Sequence, residues 1–134
     1  MNWLKINNRT WDVTVLAIEE NFNILYSENT GRTLAAGARM SLDPLGTFYG
    51  HKITVAPKAS NRAEFDDLFN FVSQPRYDGI AVEAVHGQNS SISYDAYVSN
   101  GSRSVRRLDP DTGKVFYDAM EINIIPMEAQ VRPE

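Results

Sequence analysis

The chain alternates. Trp11, Val13 and Val15 alternate with Asp12, Thr14 and Leu16, the period-two signature of a strand that buries one face. Phe22–Ser27 extends that pattern beyond the acidic pair Glu19-Glu20, and Trp3–Ile6 forms a shorter strand ahead of an Asn7–Thr10 turn. Downstream, Tyr49, His51, Ile53 and Val55 share one face. Gly79–Val85 turns through His86–Ser91 into a strand where Ile92, Tyr94, Ala96 and Val98 alternate with polar residues. Asn100–Ser104 reads as a further turn and Arg107–Lys114 as a hairpin loop. In Val115–Ile125, Met120, Ile122 and Ile124 oppose Glu121 and Asn123.

One segment has helical rather than strand periodicity. Phe65, Leu68, Phe69 and Val72 fall at i, i+3, i+4 and i+7, with Arg62, Glu64, Asp66, Asp67 and Asn70 on the opposite side. Asn61 with Glu64 has capping-box spacing, and Pro75 stops the segment. The expectation is a mainly β, α+β fold. Seven or eight short-connected strands form an antiparallel β-sandwich or partial barrel, flanked by one α-helix over about residues 61–73.

Residues 28–47 fit neither period. Gly31, Gly37 and Gly46 with Arg32, Arg39 and Pro44 predict a long hairpin arm, with Asp43–Gly46 as the turn into the next strand. The arm fails as a phosphate loop. Gly31 and Gly37 lack the following lysine and hydroxyl of a P-loop, and a strand rather than a helix comes next. Asp109–Gly113 opens like a calcium loop, but Met120 stands where the bidentate carboxylate is needed, so a turn is the simpler reading. His51 and His86 belong to no metal-ligand or nucleophile signature.

Composition narrows the classes further. At 134 residues the chain fits one domain, 1–134, and with no cysteine it has neither disulfides nor thiolate chemistry. Met1–Trp11 has no apolar run of signal-peptide or membrane-span length, so a cytosolic product is expected. A net charge of −4 weighs against general nucleic-acid affinity. The one basic cluster, Arg103, Arg106 and Arg107, suits contact with another protein chain better than DNA.

The order of these features, and the spacing of Arg32 or Thr33, Gly37, Met40, Asp43, Leu45, Gly46 and Thr47, resembles small proteins encoded among the tail genes of long-tailed bacteriophages and prophages. The layout is also similar to the tail-tube module of tube, distal-tail and baseplate hub proteins. The resemblance implies a non-enzymatic structural protein without cofactor, metal or small-molecule substrate. It further implies a homo-oligomeric ring, usually a hexamer, in the virion tail, assembled in the bacterial host cytoplasm away from any membrane. Other tail proteins would adjoin the ring, and DNA would pass through its lumen without specific binding. Subunit contacts are expected at Arg32, Leu34, Arg39, Met40, Leu42, Arg103, Arg106 and Arg107. A competing expectation is a tail-tip module that docks a receptor-binding protein or a host cell-wall carbohydrate, with Trp3, Trp11, Tyr97 and Tyr117 on a concave face.

Overall fold

In the computed structural model, residues 4–28, 30–32, 37 and 40–133 are described. The chain runs β1 (Leu4–Ile6), β2 (Thr14–Tyr26), β3 (Gly31–Arg32), β4 (Met40–Ser41), β5 (Pro44–Ala56), α1 (Arg62–Val72), β6 (Ile80–Val85), β7 (Ser91–Leu108) and β8 (Val115–Pro126). The expected mainly β fold with one flanking helix is present. Six strands form one antiparallel sheet in the order β1-β6-β7-β8-β5-β2, and β3 and β4 pair separately in the arm. The sandwich or partial barrel resolves to a single open sheet whose second layer is the helix.

The alternating positions select the buried face. Ile53 lies opposite Ile122 and Val55 opposite Met120, while Val82 faces Tyr94 and Ile6 faces Val82. Phe65, Leu68 and Val72 of α1 close over these residues, and Trp11 and Phe71 pack at the margin. The capping box does not form. Asn61 occupies the N-cap position, but its amide donates to Asp12. Glu64 instead binds Arg9 and the Asp12 backbone N–H, stapling the β1–β2 connection to the helix.

One local expectation holds and two change. As expected, the early strand continues past the acidic pair: β2 runs through it to Tyr26, paired with β5 throughout. Asn100–Ser104 is no turn: β7 passes through it with register shifts at Val98/Asn100, Arg103/Val105 and Val105/Arg107, bulges that use the extra residues without reversing the chain. Asp43–Gly46 is not a turn either, since β5 already begins at Pro44. Gly46 meets a different demand. The C-terminal segment crosses so closely that a Cβ there would sit 2.6 Å from that of Ala129, and its φ of 149° lies outside the range of ordinary side chains.

The register sets where the long hairpins project. β5 pairs with β8 only from His51 to Val55, so the β2–β5 ribbon and its arm extend past one end of the sheet. The β7–β8 ribbon extends past the other. Its tip is the expected hairpin turn, with Asp109 accepting from the N–H groups of Asp111 and Gly113.

Candidate assembly surface

β1 and β2 are the two edges of the sheet, yet residues of both line one groove of about 710 Å³. The sheet therefore coils until its edges face each other across an apolar gap, with Leu4 and Ile6 on one side, Val15–Ile18 on the other and Leu68 of α1 at one wall. A register shift between Val15 and Ala17 turns both Leu16 and its neighbours toward the gap. Asp12 and Lys58, 2.8 Å apart, stand at one rim. The Lys58 ammonium, and after it the Asn61 amide, hold the Asp12 carboxyl below the usual aspartate range.

A polar clasp spans the coil nearby. His51 of β5 is 1% exposed; its Nε2 lies 2.9 Å from the Val85 carbonyl and its Nδ1 2.6 Å from the Tyr94 hydroxyl. A carbonyl can only accept, so Nε2 carries the proton and Nδ1 accepts from Tyr94. Glu20 of β2 accepts from His86 Nδ1 at 2.7 Å and lies 3.6 Å from His51 Nε2. Burial, and then the Glu20 charge, push the Tyr94 hydroxyl well above the ordinary tyrosine value, so Tyr94 remains a neutral donor. Both ring nitrogens of the buried His51 are partnered and Glu20 links β2 to His86, which suits the cluster to holding β2, β5, β6 and β7 together. Among the described residues no group of three His, Asp or Glu side chains could hold a metal.

Beyond the clasp, apolar side chains face solvent. Phe22 is 64% exposed, Leu16 58%, Leu42 60% and Leu45 55%. Val15, Ile24, Leu25, Tyr26 and Met40 are exposed as well. The arm carrying some of them has an ordered base. The Ser27 N–H donates to the Asp43 carbonyl at 2.9 Å, the Asp43 N–H donates to Thr30 Oγ1 at 2.9 Å, and the Ser27 hydroxyl bonds the Asp43 carboxylate.

The expected contact residues divide into distinct environments. Met40 and Leu42 are exposed on β4 and just after it, whereas Leu34 and Arg39 lie outside the described residues, and Arg32 is placed in β3 by its backbone. Arg103 is engaged inside its own chain: its guanidinium lies over Phe69 at 3.9 Å and Tyr117 at 4.1 Å and bonds Asp66 at 2.6 Å. Arg107 lies over Phe116, and Arg106 is exposed. The aromatics expected on a concave face do not gather. Trp11 donates to the Ile6 carbonyl against Phe71, Tyr117 packs on Phe65, and Trp3 lies outside the described residues.

Sequence reading missed the exposed apolar character of β2. A signal was present, because Val15-Leu16-Ala17-Ile18 breaks the alternation with four successive apolar residues, the mark of a strand with apolar surroundings on more than one side. The clasp had no such signal, since Glu20, His51, His86 and Tyr94 are far apart in sequence. No protein-family model matches the chain, and no curated protein matches it.

Proposed function

We propose that this chain is a structural, self-assembling subunit of a long-tailed phage tail. It forms a ring, hexameric by the family resemblance, around the DNA channel as tube, distal or tail-end adaptor protein. The observation that carries the reading is the set of exposed apolar side chains on β2 (Val15, Leu16, Phe22, Ile24, Leu25 and Tyr26) and at the described end of the arm (Met40, Leu42 and Leu45). Exposed apolar surface on that scale marks an interaction site, and a 13-residue edge strand whose outer side pairs with no strand among the described residues offers a joint between subunits.

The opposite sheet face supports a lumen role. It carries Glu19, Glu83, Asp95 and Glu121 against Lys5 and Lys52, among Ser91, Ser93, Asn100, Ser102 and Asn123. A polar, net acidic face lets a nucleic acid pass without the phosphate contacts that create affinity.

Mass photometry and negative-stain microscopy of the purified protein test the reading, with rings or stacked tubes as the expected result. A particle that stays monomeric at high protein concentration would sink it. Deleting Arg32–Leu42 should abolish assembly while the monomer stays folded, because the bonds among Ser27, Thr30 and Asp43 close the base of the arm without those residues.

A further inference from the structure

We infer that the groove between the sheet edges is the acceptor for the Met40–Leu45 segment of a second copy of this chain, so that subunits join head to tail. The inference rests on the self-assembly reading and names its two mating surfaces. Three observations select this occupant.

The first is fit. A leucine-to-alanine cavity is on the order of 150 Å³, so a groove of about 710 Å³ takes roughly four large apolar side chains. Met40, Leu42 and Leu45 are the exposed apolar residues of one short, described segment. Met40 lies on β4 and Leu42 follows just after it, so the three apolar side chains fall within six residues.

The second is distance. Groove and segment lie at opposite ends of β2, and from Ile18 to Tyr26 alone the strand extends about 26 Å. The segment cannot reach its own groove along a rigid ladder paired with β5 to its end. Donor and acceptor on opposite ends of one molecule define a heterologous contact, which propagates and closes into a ring when the rotation allows.

The third is charge. The obvious alternative is two β2 edges paired antiparallel in full register, Thr14 against Tyr26. That places Glu20 directly opposite its own copy with Glu19 beside it, a destabilising like-charge pair. The donor segment Met40–Leu45 has one acid, Asp43, engaged by the Ser27 hydroxyl, and the groove lining has one, Asp12, engaged by Lys58, so this contact sets no such pair of carboxylates in register. The Val15/Ala17 shift also interrupts regular strand addition, which leaves recognition to side chains entering the groove.

Complementation is the test. Leu42→Asp disables the donor and Leu16→Lys the acceptor. Each variant alone should lose self-association by about tenfold or more in apparent dissociation constant, read by mass photometry and sedimentation. Mixed in equal amounts they should form 1:1 dimers and nothing larger, because the mixture retains one intact donor and one intact acceptor. Single variants that assemble like wild type, or a mixture that stays monomeric, overturn the inference while wild-type assembly preserves the functional reading. A wild type that never associates overturns both.

A second measurement does not depend on disrupting the fold. The chain has no cysteine, so a Leu16→Cys, Leu42→Cys double variant treated with a short bis-maleimide should give a covalent ladder. Pairing Leu42→Cys with Tyr97→Cys on the far face should not. Assembled material without the first ladder, or with both, counts against the groove as acceptor.

Discussion

The sheet has two halves built from the same alternating ladder, and only one is covered. Under the helix, Phe65, Leu68, Ile53 and Ile122 are at most 1% exposed, whereas Phe22, of the same residue type as Phe65, is 64% exposed on β2. The difference is one of reach. An 11-residue helix extends about 16 Å, while a 13-residue strand extends about 43 Å, so α1 cannot cover the length of β2. Alternation decides which face is apolar. What covers that face is decided by the length of the other elements, and here they run out.

The sharpest way to break this comparison is to cut a large side chain from each half. Phe65→Ala should cost about 3–5 kcal/mol of unfolding free energy in urea, the usual range for a fully buried phenylalanine. Phe22→Ala should stay within about 0.5 kcal/mol on the monomer, as exposed substitutions do. Equal losses would mean that β2 is packed against something within its own chain.

The clasp lies on the boundary between the halves. His51→Leu keeps bulk but leaves the Val85 carbonyl and the Tyr94 hydroxyl without their partner, and buried groups orphaned in this way cost about 1–3 kcal/mol each. We expect a loss of about 2–4 kcal/mol in denaturant melts, with Tyr94→Phe milder at about 1 kcal/mol because only one bond is lost. A neutral His51→Leu would show that the coil of the sheet does not depend on the clasp.

These two regions also mark what the sequence could disclose. The helix stripe of Phe65, Leu68 and Val72 and the core faces of β5, β6 and β8 were legible, because each depends on a local period. Helix capping was not, since Asn61 and Glu64 have the right spacing but are drawn to Asp12 and Arg9, residues about fifty positions away. Asn100–Ser104 has turn composition, yet continued pairing with β8 before and after it absorbs it as bulges. In the candidate site, Met40 and Leu42 were singled out from the arm, while the groove depends on how far the sheet coils, which no local pattern encodes.

Arginines repeat the contrast at smaller scale. Arg103 has a side chain only 15% exposed, between Phe69 and Tyr117 and bonded to Asp66. Arg103→Ala should cost about 1–2 kcal/mol, through lost stem packing and ring contacts as much as lost charge. Arg106→Ala, three residues along the same strand and exposed, should stay within about 0.5 kcal/mol. Matching losses would remove Arg103 from the core margin and return it to the surface cluster that its sequence context suggests.

The smallest effect is at the groove rim, where Asp12 is exposed but hydrogen-bonded by Lys58 and Asn61. Its pKa is depressed in the folded state, so the associated stability is present above the unfolded carboxyl value. It is lost as pH falls through the folded one. The titration of the Asp12 carboxyl, followed by NMR, should therefore have its midpoint below that of an ordinary aspartate. Lys58→Met should move it up the most, and Asn61→Ala should move it less, following the order of the two bonds. Comparing acid unfolding of wild type with Lys58→Met, the stability difference should shrink below about pH 4, where the unfolded carboxyl protonates. A midpoint that Lys58→Met leaves in place would mean the pair is a passing surface contact that does not fix the rim of the groove.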